Sequence, residues 1–179
     1  MGKVGSGKSE VTKLASECFG AKIFICDDVA KEIMNEPNSP YKSIGDKLFT
    51  DENEQEFIRT NFHNIVFNRI YENINKIQSK TSIPPEKQLF VIETALPNEQ
   101  FIGICYKTIL IYNDNKVKSK LLKENRNYTD EKIKQILDSQ KYYEKFYEKA
   151  DYSIENNGNI KELIEKVYEV FDEICLPFE

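Results

Sequence analysis

Apolar residues fall along this chain in two kinds of run. Some are short and continuous: Lys22-Ile23-Phe24-Ile25-Cys26, Leu89-Phe90-Val91-Ile92-Glu93, Thr108-Ile109-Leu110-Ile111-Tyr112 and Tyr152-Ser153-Ile154. Others recur at steps of three and four: Val11, Leu14, Ala15 and Cys18, then Phe57, Ile58, Phe62, Ile65, Val66 and Ile70. A third periodic stretch carries Ile133, Ile136, Leu137, Tyr143 and Tyr147, and a fourth carries Leu163, Val167 and Phe171. Steps of three and four put side chains on one face of a helix, whereas short continuous runs suit strands buried on both faces. Strands therefore alternate with helices, which predicts an α/β fold with a parallel sheet covered on both sides.

Breakers mark the boundaries. Gly20 stops the first helix, and Glu36-Pro37-Asn38-Ser39-Pro40 reads as a loop. Helices are predicted over 29–35, 41–48 and 52–77, and Pro84-Pro85 interrupts the chain after the last of these. Another runs from Asn115 to about Lys123. Arg126-Asn127-Tyr128 is a break, Thr129 is an N-cap, and a helix follows to about residue 149. Ile160–Cys175 closes the chain. The long helical stretches suggest a substrate-binding insertion over about 37–80 and a lid over about 118–148, both within one domain spanning 1–179.

Composition narrows the class. A chain of 179 residues can bury a full single-domain core without disulfides. A net charge of −5 argues against non-specific nucleic-acid binding, which needs a basic surface. No apolar run reaches the length of a membrane span, and no secretory signal is visible. Cys18, Cys26, Cys105 and Cys175 form no C-x-x-C pair, so they are expected to be reduced and mostly in the core of a cytoplasmic protein, a monomer or weak homo-oligomer. Arginine is confined to Arg59, Arg69 and Arg126, which makes each one worth attention.

The chemistry begins at Gly2-Lys3-Val4-Gly5-Ser6-Gly7-Lys8-Ser9, which satisfies G-x-x-x-x-G-K-[ST] at every fixed position. Glycines let the backbone curl so that its N–H groups face a phosphate. Lys8 would reach the outer phosphates, the Ser9 hydroxyl would hold Mg²⁺, and the helix that follows aims its positive end at the anion. Such a loop ordinarily hangs from a buried parallel strand. A short apolar strand is therefore expected ahead of Met1.

Ligands of open parallel sheets bind beyond the carboxyl ends of the strands, so the polar residues there are the candidates. Asp27 could orient and deprotonate an attacking hydroxyl, or cap the helix that follows it, a role that Asp28 fits about as well. Glu93 could hold Mg²⁺ through water or bond loop backbone. Arg126 could close over phosphates or remain a solvated surface arginine. Asn156 ends the last strand. His63, the sole histidine, sits on a helix, where a structural role is commoner than a catalytic one. A guanine-reading N-K-x-D motif is absent, because Asn115-Lys116 is followed by Val117-Lys118.

Taken together, these segments resemble dephospho-coenzyme A kinases over nearly the whole chain. Gly5-Ser6-Gly7-Lys8-Ser9 is similar to the family's G-S-G-K-[ST], and Asp27-Asp28-Val29-Ala30 to the end of its D-x-D-x-x-A segment. Phe62-His63-Asn64 falls on a His-Pro pair, and Glu93 to Glu99 on a D-x-P-L-L-[FY]-E segment. The most specific likeness is Gln140, Glu144-Lys145 and Ala150 to Gly158, which follow Q…EK…ADxxIxNxG. The resemblance implies a P-loop kinase with a three-layer α/β/α core, a helical substrate flap and a small lid. It implies ATP- and Mg²⁺-dependent phosphorylation of the ribose 3′-hydroxyl of dephospho-coenzyme A. By the same likeness Asp27 is the base, with Lys8 and Arg126 acting on the phosphates. Gly5, Ser6, Gly7, Lys8, Ser9, Glu10 and Asn156 are placed around ATP; Asp27, His63, Glu93 and Leu96 around the acceptor; Ser9 and Glu93 on the metal. Several positions depart from the pattern: Ile25, Asn64 and Ala95 replace an aspartate and two prolines, and Tyr41 to Asp51 lacks a G-x-[IV]-x-R segment. Lys116 to Asn125 lacks a Q-x-x-R spacing, with Lys120 in place of an arginine. The alternatives are a kinase with another small-molecule or nucleotide acceptor, or a nucleotide-binding module without turnover.

Overall fold

The computed structural model describes residues 1–42 and 56–176, with backbone alone at 59 and 60. The predicted helix over 41–48 lies almost wholly outside the described residues, as does the start of the one over 52–77. Helix α1 (Lys8–Phe19) ends at Gly20, whose left-handed φ of 66° closes the C-cap on the carbonyls of Ala15 and Ser16. Strand β1 (Lys22–Ile25) leads without a loop into α2 (Cys26–Asn35), so the strand stops one residue earlier than its apolar run and the helix starts three residues earlier than predicted.

After a π-turn at Ile58–Phe62, α3 (His63–Gln78) packs on α2. Cys26, Val29 and Ile33 of α2 and Val66 and Ile70 of α3 bury their side chains together with Phe62 and Phe101. Strand β2 (Phe90–Glu93) follows, then α4 (Glu99–Ile104), a short helix that the apolar pattern did not predict. Asn98 caps α4 by accepting the N–H of Phe101 at 2.9 Å.

Strand β3 (Ile109–Tyr112) precedes α5 (Asn115–Arg126), which runs about three residues past its predicted end and stops at Asn127 with φ 53°. Thr129 is an N-cap as expected: its hydroxyl accepts the N–H of Lys132 at the start of α6 (Asp130–Ser139). The single helix expected from there to about 149 is instead broken. A 3₁₀ turn at Lys141–Tyr143 separates α6 from the short α7 (Glu144–Tyr147). Strand β4 (Tyr152–Glu155) and α8 (Ile160–Cys175) complete the chain. Leu163, Val167 and Phe171 of α8 meet Val11 and Ala15 of α1 across Ile111 and Ile154. Removing each such side chain from water stabilises the fold by roughly 2 kcal/mol.

Among the described residues all strand pairs are parallel, as continuous apolar runs imply. They form two sheets: β1 on β2 in register Ile25↔Glu93, and β3 on β4 in register Tyr112↔Glu155. The single covered sheet of the prediction is therefore divided. Met1 pairs with β3, donating to the Ile109 carbonyl and accepting the N–H of Ile111. Between β2 and β3 lies a cavity of about 900 Å³, reaching from Lys8, Thr12 and Glu93 down to Gln88 and Lys107. Among the described residues, no helix is long and apolar enough to cross a membrane. The four cysteines form no disulfide, but Cys18 is exposed rather than in the core; Cys26 is buried, and Cys105 and Cys175 are partly covered.

Candidate active site

Helix α1 begins at Lys8 immediately after Gly7, with no side-chain cap. The N–H groups of Lys8 and Ser9 lack intrahelical partners by construction and so remain for an anion, while that of Glu10 donates to the Gly7 carbonyl at 3.1 Å. Two glycines make the curl possible. Gly5 has φ 80°, and a Cβ there would lie 3.0 Å from Lys118 and Leu122 of α5. Gly7 has φ 90°, and a Cβ there would overlap the Asn156 side chain. Neither position tolerates a side chain.

Amide side chains hold the loop from outside. Gln140 Oε1 accepts the Val4 N–H at 3.1 Å, Asn113 Nδ2 donates to the Gly5 carbonyl at 2.8 Å, and Asn156 Nδ2 donates to the Ser6 carbonyl at 3.0 Å. Ser6 itself is fully buried, and its N–H donates to the Lys3 carbonyl at 3.2 Å. Lys3 pairs with Glu144 of α7.

Lys8 is 8% exposed and donates to the Lys3 carbonyl at 3.1 Å. Burial pulls its pKa below the ordinary lysine value; the Glu93 and Asp27 carboxylates oppose this, and Arg126 and Lys118 add to it. Four charges from separate parts of the chain thus act on one ammonium. Lys8 feels Asp27, Glu93 and Arg126, three of the residues singled out in the sequence, and also Lys118.

Glu93 sits at the carboxyl end of β2, buried, with Oε1 3.5 Å from the Ser9 hydroxyl and Oε2 accepting from Thr12 at 3.2 Å. A carboxylate beside a hydroxyl is a hard oxygen pair suited to Mg²⁺, whose remaining positions phosphate and water can fill. Asp27 is exposed in the first turn of α2, where Ile25 is the N-cap, so it does not serve as the capping residue. Its neighbour Asp28 pairs with Lys31 at 3.0 Å. Arg126 ends α5 and is exposed. Lys120 and Lys123, its neighbours, are turned to Glu124 and Asp130.

The other candidates lie elsewhere. Glu10 is exposed in the first turn of α1. His63 is buried at the start of α3, its ring 5.9 Å from that of Tyr143. Leu96 packs on the cluster of Tyr143, Phe146 and Tyr147. Sequence reasoning missed Asn113, Lys118 and the contact made by Gln140. Lys118 had a signal: it lies four residues before the buried Leu122, at a position where an apolar residue belongs.

The sequence model of the family described as "Dephospho-CoA kinase" matches residues 41–162, more than half of the chain. The chain is 28% identical to a dephospho-CoA kinase of Fusobacterium nucleatum, over 93% of this chain and 92% of that one. It is 27% identical to one of Aquifex aeolicus, over 97% and 94%. Among solved structures, a Thermus thermophilus protein aligns with TM-score 0.71 and 18% identity over 97% of this chain and 94% of that one. A dephospho-CoA kinase from Campylobacter jejuni aligns with TM-score 0.57 and 21% identity over 97% and 94%. A shikimate kinase from Acinetobacter baumannii, solved with shikimate, aligns with TM-score 0.58 and 16% identity over 98% and 90%. The core is therefore that of the P-loop kinases, and the chain belongs to the dephospho-CoA kinase family, whose activity is the last step of coenzyme A synthesis.

Proposed function

We propose that Asp27 receives the proton of the ribose 3′-hydroxyl of dephospho-coenzyme A as that oxygen attacks the γ-phosphorus of ATP, giving coenzyme A and ADP. The observation that carries this reading is the pair of carboxylates acting on the loop's ammonium: Glu93, buried with Oε1 3.5 Å from the Ser9 hydroxyl, and Asp27, exposed in the first turn of α2. A phosphoryl-transfer site needs those parts, a cation on the outer phosphates and an oxygen base beside them.

In this reading Lys8 exchanges its bond to the Lys3 carbonyl for the β- and γ-phosphate oxygens. The α1 terminus and the amides of Gly5 and Gly7 hold the same charge, with Ser6 between them closing the turn on the Lys3 carbonyl. Arg126 reaches the phosphates from the end of α5, part of a lid over about 118–148. Glu10, at the mouth of the loop, belongs with the nucleotide. Asn156 contributes through the Ser6 carbonyl, by shaping the loop. Ser9 and Glu93 would hold Mg²⁺, which when bound neutralises charge on the phosphate oxygens. The insertion over about 37–80, with His63 and Leu96 near Tyr143, offers the acceptor its walls. Most of the rate gain then comes from positioning and preorganised charge. We place the enzyme in the cytoplasm, where reduced thiols persist.

The experiment is Asp27→Ala. Turnover should fall by about 10²–10⁴, the range for a lost general base, while ADP still binds with near-native affinity. Undiminished turnover would remove Asp27 from the mechanism.

A further inference from the structure

We infer that Asn113 and Gln140 are positioning residues that lock the phosphate loop to both ends of the α5–α6 helical pair, and so set nucleotide affinity from outside the nucleotide site. The inference rests on the reading of this loop as the phosphate cradle.

The two residues occupy matching places. Asn113 lies just after β3, immediately ahead of α5, and Gln140 is the C-cap of α6. The helical pair therefore leaves and rejoins the core at these two side chains. Each of them reaches the loop, and they reach adjacent residues: Gln140 takes the N–H of Val4, and Asn113 gives to the carbonyl of Gly5. Between these contacts α5 itself rests on Gly5 through Lys118 and Leu122. Beyond them, Lys3 pairs with Glu144 of α7.

Peptide geometry gives these bonds a consequence. The N–H and C=O of one peptide unit point in opposite directions. A Gly5 carbonyl held outward by Asn113 turns the following N–H, that of Ser6, to the opposite side, where it donates to the Lys3 carbonyl at 3.2 Å. A Val4 N–H held by Gln140 fixes the peptide plane before it. Gly5 and Gly7, both at positive φ, restrain the loop little themselves, since glycine explores both halves of backbone space; its other restraints are the Ser6 N–H donated to the Lys3 carbonyl at 3.2 Å and the Asn156 bond to the Ser6 carbonyl. Without the two amides, only the turn bond from Ser6 to Lys3 would hold the peptide planes between those residues, and an anion would have to order them at its own expense.

Simple satisfaction of buried polar groups does not account for Asn113. Its Oδ1 is buried with no partner among the described residues, a cost that an apolar side chain of similar shape would avoid. The residue is polar for the one bond it makes to Gly5. Gln140 is 2% exposed, and its position at a break in the α6–α7 region is where the expected continuous helix gives way. The break brings the amide to the loop.

The test is ADP binding by calorimetry, with no acceptor present, on four variants and the parent chain. Gln140→Met removes the acceptor and nearly keeps the shape; Gln140→Glu keeps an acceptor. Asn113→Leu and Asn113→Asp both remove the donor. Losing one such bond should weaken ADP binding about five- to tenfold. Gln140→Glu should bind more tightly than Gln140→Met despite its added negative charge, and both Asn113 variants should be weakened. In amide hydrogen exchange, Val4 should lose protection in Gln140→Met and keep it in Gln140→Glu. Should Gln140→Met not fold, the Val4 protection in Gln140→Glu against that in the parent chain decides the same point. ADP affinity unchanged in Gln140→Met and Asn113→Leu, or equal loss in Gln140→Met and Gln140→Glu, would overturn the inference. Failure of the parent chain to bind ADP would instead overturn the phosphate-cradle reading itself.

Discussion

Lys8 is the residue on which the site turns. A lysine this enclosed is costly to keep charged, and its environment contains cations as well as carboxylates. Its folded-state pKa is depressed, so its proton is lost more readily than that of a free lysine as pH rises. A polyphosphate would reverse this by adding opposite charge. Nucleotide binding should therefore be accompanied by proton uptake in alkaline buffer, and affinity should fall as pH rises through the depressed pKa of the free protein. Calorimetry of ADP binding in buffers of differing ionisation enthalpy measures that uptake; binding without uptake across the alkaline range would contradict the environment described for Lys8. Lys8→Ala should weaken ADP binding by about two orders of magnitude, consistent with loss of a charge-assisted contact worth up to roughly 3 kcal/mol. These effects were legible in sequence because a phosphate loop needs set residue types at set offsets. Asn113 was not legible, since a neutral amide at a strand end carries no spacing signal of its own. Asp27 was legible as a strand-end acid; its separation from the capping role needed the backbone at Ile25.

At the level of elements, the sequence and structure part company where periodicity alone had to decide. Ile133, Ile136, Tyr143 and Tyr147 are all buried, as their spacing demands, yet the helix carrying them breaks at residues 140–143. Helical spacing continues through the break because a 3₁₀ turn changes direction without exposing the stripe. Helix α4 escaped notice because six residues give too little periodicity to register, although Pro97-Asn98 ahead of it was a start signal. The cap at Thr129 did follow from sequence. Thr129→Ala should destabilise α6 by about 1 kcal/mol, seen as a lower melting temperature. Because α6 carries the Gln140 end of the helical pair, the same variant should loosen nucleotide binding slightly. No change in thermal stability would mean that the cap contributes nothing.

Across the molecule, the division into two parallel sheets was beyond reach of the apolar pattern. Continuous runs report burial on both faces; they do not report which strand lies beside which. What ties the second sheet is a polar clasp ahead of its strands. Asp151 accepts the Thr108 N–H at 2.8 Å and its hydroxyl at 2.7 Å, and the Thr108 side chain holds the Asp151 carboxyl below its ordinary range. A carboxyl with a depressed folded pKa contributes stability above its unfolded pKa and loses it as pH falls through the folded value. Asp151→Asn should therefore lower the melting temperature at neutral pH and flatten its fall in acid. An unchanged acid limb in the variant would assign that limb to other carboxyls.

The central claim is that this cradle, with Asp27 beside it, moves a phosphoryl group from ATP to the ribose of dephospho-coenzyme A. Incubating the chain with Mg-ATP and dephospho-coenzyme A and weighing the products by mass spectrometry tests it most directly. Coenzyme A and ADP should appear in equal amounts, and neither should form with Asp27→Ala at a comparable rate. ADP produced without coenzyme A, or no product from a folded sample that binds ATP, would contradict the account.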